Sequence, residues 1–200
     1  MPNPVEFFFD FSSPYGYIAS EKIDDLANRY GRDVVWRPFL LGVAFKATGG
    51  APLPSIPIKG QYALRDIERS ARFHGLRYRY PSRFPISTVT PARAFYWLDA
   101  KNQVAAKSLA TALYRAYFQD NVDISDIEET VEVCTSCGLD PQTVRAGIAA
   151  PATKERTRKE VEAGMAKGVF GSPYIIVDGE PFWGADRLEQ VEKWLACGKF

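Results

Sequence analysis

A chain of 200 residues with 25 Lys+Arg against 24 Asp+Glu has a formal charge of +1, too small a basic excess to neutralise a row of phosphates, so nucleic acid is excluded as a partner. With 46% hydrophobic and 24% charged residues, the composition is that of an ordinary globular chain and not of a disordered one. No apolar run reaches the ~18 to 20 residues of a membrane-spanning helix, and Met1-Pro2-Asn3-Pro4 has neither a basic n-region nor a small-residue cleavage site, so the expectation is a cytoplasmic protein with no membrane partner.

Val5 to Phe11 is a short apolar and aromatic run interrupted by Glu6 and Asp10, which predicts a buried first strand. Ser12-Ser13-Pro14 follows, and Ile18, Ile23, Leu26 and Ala27 recur at helical spacing until Tyr30-Gly31. Proline suits the first helical position and Ser13 the N-cap, so a helix is predicted over 14–30, stopped by Gly31. Asp33 to Arg37 reads as a second strand, making a right-handed parallel β-α-β unit. From Pro38 to Ile58 the chain carries Gly49-Gly50 and Pro52, Pro54 and Pro57, the signature of a long structured loop. A helix is predicted over 59–75. A second proline-rich loop, with Pro81, Pro85 and Pro91, leads to helical patterns over 92–98, 104–118, 124–137 and 141–149. Strand character returns only at 174–179, where Asp178-Gly179 predicts a hairpin into 180–183, and a last helix covers 186–197.

The order β-α-β, helices, β-β-α predicts an α/β thioredoxin-like fold. Its mixed sheet is built from residues 1–38 and 168–200, with a loop and an all-helical subdomain inserted over 39–167, the whole forming one compact unit. Function does not follow from that fold alone.

Three cysteines, Cys134, Cys137 and Cys197, are expected as reduced thiols. Cys134-Thr135-Ser136-Cys137 spells C-x-x-C, but it ends a helical pattern and precedes Gly138, whereas a redox pair belongs at a helix start, where the thiol pKa is lowered. A zinc site would need a second pair, which the sole histidine, His74, does not supply. A structural or incidental role is expected, and no metal.

In a thioredoxin-like fold the reactive position is the first strand-to-helix junction, here Phe9-Asp10-Phe11-Ser12-Ser13-Pro14-Tyr15. It holds no cysteine, so dithiol exchange is excluded there, while the Ser13 hydroxyl could hydrogen-bond a thiolate supplied by a ligand. Equally, Ser13 could do no more than cap the helix. Ser172-Pro173, before the third strand, stands where this fold carries a cis proline. Such a bond would turn the Ser172 backbone toward an extended peptide-like ligand, the alternative being a trans proline opening an edge strand.

Five segments in order carry a resemblance to a known family: Phe9 to Tyr15, Leu40 to Gly49, Leu113 to Phe118, Gly168 to Pro173, and Phe182 to Leu188. Together they resemble the 2-hydroxychromene-2-carboxylate isomerases, relatives of the kappa-class glutathione transferases. The resemblance implies a DsbA-like fold, bound glutathione and a homodimer. It implies that Ser13 is the catalytic serine contacting the glutathione sulfur, that Ser172 and Pro173 hold the ligand backbone, and that Trp183, Gly184, Ala185 and Asp186 hold its γ-glutamyl end. Lys46 is matched to the lysine for the carboxylate of a small aromatic substrate, with Phe84 as a further substrate contact. The chain departs from the family in having Ser172 where Val is common before the proline, Gly50 where Asn is common, and an apolar stretch at 51–57. The activity implied is conversion of 2-hydroxychromene-2-carboxylate to trans-o-hydroxybenzylidenepyruvate by reversible thiolate addition. A kappa-like transferase or peroxidase, or a non-catalytic binding module, are the alternatives.

Overall fold

A computed structural model describes residues 3–200; Met1 and Pro2, part of the stretch inspected for a leader, lie outside them. Strand β1 (Val5–Phe9) is followed by helices α1 (Pro14–Ser20) and α2 (Ile23–Asn28) and by β2 (Val34–Pro38). Helices α3 (Leu41–Thr48), α4 (Lys59–Phe73), α5 (Val89–Asp99), α6 (Gln103–Phe118), α7 (Ile127–Ser136), α8 (Pro141–Ala149) and α9 (Pro151–Ala166) come next. Strands β3 (Tyr174–Val177) and β4 (Glu180–Trp183) and helix α10 (Leu188–Cys197) close the chain.

The sheet order is β2-β1-β3-β4. β1 pairs parallel to β2, with Phe7 opposite Trp36, and antiparallel to β3, with Phe8 opposite Tyr174. As an inner strand covered on both faces, β1 reads as a continuous apolar run and not an alternating one. Phe7 and Phe9 face a core that includes Trp36, Phe95, Tyr114 and Phe118, whereas Phe8 faces a smaller one with Phe39, Val161, Val169 and Tyr174. Each such side chain contributes about 1.5–3 kcal/mol by leaving water. The β3–β4 hairpin turns through Asp178 (φ 51°) and Gly179 (φ 89°), the paired left-handed residues that Asp-Gly favours. Among the described residues no helix is long and apolar enough to cross a membrane.

The single helix expected over 14–30 is two. Ser20 Oγ donates to the Tyr17 carbonyl (2.7 Å) and the Lys22 N–H to that of Ala19 (3.0 Å), which ends the first before Glu21. The second is closed by Gly31 (φ 64°) with the Arg32 N–H on the Ala27 carbonyl (3.1 Å). The expected loop over 38–58 contains α3, whose first N–H, that of Leu41, finds its acceptor in the side chain of Asp10 (2.7 Å), a long-range cap with no local signature. Helix α9 was not expected at all. Its exposed face is a run of charges paired along the helix, Arg158 with Glu155 and Glu162, and its buried residues are only Thr153, Thr157, Val161 and Gly164, too sparse an apolar stripe to read as amphipathic. Cys134 is buried on the last turns of α7 and its thiol is pushed up to about 12 by burial; Cys137, at the same helix end, is also pushed up by burial. Neither is poised as a thiolate nucleophile.

Candidate active site

The junction after β1 is built around Ser13. Its backbone is extended (φ −96°, ψ 113°) and its Oγ accepts the Gly16 N–H at 3.0 Å, so it caps α1 as expected. The same hydroxyl donates to the carbonyl of Ser172 at 2.8 Å. The Ser172–Pro173 peptide bond is cis. Ser172 Oγ accepts the Asp10 N–H (2.8 Å), and the Asp10 carbonyl accepts both the Ser13 N–H (2.8 Å) and the Tyr114 hydroxyl (2.9 Å). Residues far apart in sequence thus meet in a buried polar cluster in which Ser13 is 5% and Ser172 9% exposed. Gly16 is demanded by crowding: a Cβ there would lie 2.6 Å from Tyr114 Oη and 2.7 Å from Ser172 Oγ.

Beyond the cis proline, the Pro173 carbonyl accepts the Gly184 N–H (3.0 Å), which joins this loop to the turn Ala185–Arg187 before α10. Gly184 (φ 111°) occupies a conformation that side chains disfavour. Trp183 is 56% exposed and stands edge-on to Phe170 (4.8 Å), with its indole over Gly171, where no side chain would fit. Asp186 is exposed, and among the described residues its one ion pair is with the adjacent Arg187 (3.4 Å).

A second carboxylate reaches the site by a route not read from the sequence. The Tyr15 hydroxyl, two residues after Ser13, donates to Asp66 of α4 at 2.6 Å. Burial pushes the Asp66 carboxyl up, but hydrogen bonds from Tyr15 and Arg69 outweigh it and hold the group below the usual carboxylate range. Burial and the same hydrogen bond push the Tyr15 phenol up, so Tyr15 stays a neutral donor.

Phe84 packs on Tyr80 (5.3 Å) in a loop whose Phe84–Pro85 bond is cis. That loop is tied beside the junction by the Ile86 N–H to Ser12 Oγ (3.2 Å) and the Tyr117 hydroxyl to the Arg83 carbonyl (2.7 Å). Lys46 stands exposed on α3, connected to the cluster only through the Leu41–Asp10 contact at the start of its helix. The structure therefore brings Ser13, Ser172, Pro173 and the 184–185 backbone together, sets Phe84 on a neighbouring loop, and leaves Asp186 and Lys46 at the surface. The residues not anticipated are Asp10, Tyr15, Asp66, Tyr114 and Thr88, whose hydroxyl donates to Asp10 Oδ2 (3.1 Å). The one sequence signal for any of them is Asp10, a carboxylate interrupting an apolar run. A groove of about 720 Å³ between α6 and α7, lined by Arg115, Glu132 and Cys137, contains none of these groups.

Comparison with known proteins agrees with this architecture. The chain matches the DSBA-like thioredoxin domain over residues 4–196. It is 32% identical over 197 residues to the 2-hydroxychromene-2-carboxylate isomerase of Sphingobium xenophagum, covering 98% of this chain and 99% of that one. It is 27% identical to glutathione S-transferase kappa 2 of Caenorhabditis elegans, covering 98% and 94%. The solved structure of a 2-hydroxychromene-2-carboxylate isomerase superposes with a TM-score of 0.86 at 25% identity over 96% of this chain and 94% of the other. The chain belongs to the 2-hydroxychromene-2-carboxylate isomerase family within the DsbA-like thioredoxin proteins.

Proposed function

We propose that this isomerase uses glutathione to convert 2-hydroxychromene-2-carboxylate to trans-o-hydroxybenzylidenepyruvate. The observation that carries the reading is the Ser13 hydroxyl, held 2.8 Å from the carbonyl preceding a cis proline at the position where this fold performs sulfur chemistry, with no cysteine at that junction. The names of the relatives support it, some being isomerases and others glutathione transferases.

The residues present fit glutathione. The Ser172 carbonyl offers an acceptor to an extended peptide, the Ala185 and Asp186 N–H groups, which have no acceptor among the described residues, can meet a carboxylate, and Asp186, only loosely paired, suits an ammonium. Once the hemiketal ring has opened, its C2–ring oxygen bond breaking to give a phenol and a conjugated ketone, bound glutathione would supply a thiolate able to add reversibly to that enone, so that its C=C bond is single for rotation and elimination restores both the alkene and the thiol.

Ser13 keeps the Gly16 N–H on one lone pair and turns its O–H from the Ser172 carbonyl to the sulfur. The Ser172 carbonyl would then accept an amide N–H of the ligand, so that ligand docking and the turning of the Ser13 O–H toward the sulfur are one exchange of hydrogen-bond partners. Helix α1 is only 7 residues long, so its field adds less than the 14–30 helix would have given, and the hydroxyl carries the larger part of thiolate stabilisation. Lys46 receives the substrate carboxylate and Phe84 packs on its aromatic ring. We infer further that the protein acts in the cytoplasm as a homodimer; exposed Ile58 and Tyr62, 93% and 64% accessible, support an interface at the start of α4.

The second reading, a kappa-like glutathione transferase, rests on the 27% identical relative and uses the same Ser13. The two differ in whether glutathione is consumed, which a thiol balance during turnover decides. A chain whose melting temperature glutathione fails to raise is neither, since any native-state ligand stabilises by mass action.

A further inference from the structure

Asp10 is a buried carboxylate, 3% exposed, and among the described residues no Lys or Arg is paired with it. Neutral donors from three elements satisfy it instead. Oδ1 accepts the Ser12 N–H (2.7 Å) beside the reactive serine. Oδ2 accepts the Leu41 N–H (2.7 Å), the first of α3, and the hydroxyl of Thr88 (3.1 Å), the residue before α5. An apolar strand end gains nothing in stability from an unpaired buried charge, so the carboxylate needs another explanation. What it does geometrically is fasten two elements to the turn that carries Ser13: α3, which bears Lys46, and the entry to α5, which follows the Phe84 loop.

Resting on the reading of the preceding subsection, we propose that ionised Asp10 is a positioning residue that holds α3 in register with Ser13, and that its protonation releases the start of α3, so that Lys46 loses its grip on the substrate carboxylate while the Ser13–Ser172 contacts persist. The proton count gives the reason. A neutral carboxyl can accept the Ser12 N–H through one oxygen and donate through the other to the Thr88 hydroxyl, which leaves the Leu41 N–H without a charged acceptor. Ser172 and Ser13 are untouched because they bond to the main-chain N–H and carbonyl of Asp10, not to its side chain.

The ionisable groups around Asp10 do not compete with this change. Tyr114 and Tyr117 of α6 are phenols pushed up by burial, with the Asp10 charge adding to the shift, and they stay neutral throughout. Lys46 on α3, Arg93 on α5 and Tyr174 on β3 make no hydrogen bond or ion pair with Asp10. Burial, against the three hydrogen bonds, holds the Asp10 carboxyl at about 6, so the release occurs just below neutrality.

The test uses the full chain. In amide NMR the Ser12 and Leu41 signals of the wild type should titrate together with one midpoint near that value, and neither should do so in Asp10→Asn. In the same pH range the wild-type KM for the chromene carboxylate should rise by roughly 3- to 10-fold, the size of one hydrogen-bonding contact. In Asp10→Asn the KM should be raised already at neutral pH and be flat below it, while kcat follows the same pH curve in both proteins. A Leu41 amide that does not titrate with Ser12, or a wild-type KM independent of pH, overturns the proposal. If the chromene carboxylate is not turned over at all, the isomerase reading fails, and the amide titration still decides whether Asp10 tethers α3.

Discussion

The Ser13 hydroxyl donates to the Ser172 carbonyl across 2.8 Å, joining residues 159 positions apart. One end of this bond is the group that would face a sulfur, and the other is the backbone that would face a peptide ligand. The contact is a tertiary tie in the resting protein and, on the proposed reading, the latch that ligand binding would open.

On the proposed reading, replacing Ser13 with Ala would remove a hydrogen bond to a charged sulfur, worth about 1.5–3 kcal/mol. The expected result is a fall in kcat of roughly 10- to 100-fold with glutathione affinity changed only a few-fold, measured by steady-state kinetics and calorimetry. The lost N-cap should also lower stability by about 1 kcal/mol.

Gly16→Ala would be favourable in an ordinary helix by about 1 kcal/mol. Here the added methyl meets Tyr114 Oη and Ser172 Oγ at 2.6 and 2.7 Å. Net destabilisation of about 1–3 kcal/mol and reduced turnover are expected from denaturant melts and assays, and a more stable, fully active variant would show that the cluster is loosely packed.

Asp186→Asn should raise the KM for glutathione by roughly 10-fold, the loss of one charge-assisted contact. Because Asp186 is exposed and, among the described residues, paired only with its neighbour Arg187, stability should be unchanged. Titration with glutathione lacking its γ-glutamyl group should show no difference between wild type and variant.

Asp10 makes stability depend on pH with a defined sign. Its carboxyl, pushed up by burial to about 6, lies above the ~3.9 of an unfolded chain. The native state therefore binds the proton more tightly. The contribution is complete below the unfolded value and is lost as pH rises through the folded one. The stability of wild type relative to Asp10→Asn should decline by about 2 kcal/mol between pH 4 and pH 7 and be level above that, which paired urea melts can check.

Strands and caps were legible because their signals are local. Phe7-Phe8-Phe9 announces a strand buried on both faces, Ser13-Pro14 a helix start, and Asp178-Gly179 a hairpin, and each is where those residues predict it. What was missed depends on partners distant in sequence. Helix α3 starts where it does because Asp10 accepts its first N–H. Helix α9 is helical because a thin stripe around Val161 and Gly164 packs on Phe8 and Phe39, and the local signal for it was the i,i+3 and i,i+4 spacing of its charges, Glu155, Arg158 and Glu162. The site divides in the same way. Ser13 and the cis proline are visible as short motifs, whereas Tyr15–Asp66 and the Asp10 tether exist only as pairings across the fold.

On the proposed reading the protein borrows a thiol and returns it. The direct measurement is a thiol balance during turnover of 2-hydroxychromene-2-carboxylate by the purified protein with a limiting amount of glutathione. Many substrate molecules should be isomerised per glutathione, with free thiol unchanged at the end and no reaction without it. Consumption of one thiol per product, or equal turnover in its absence, would contradict that reading.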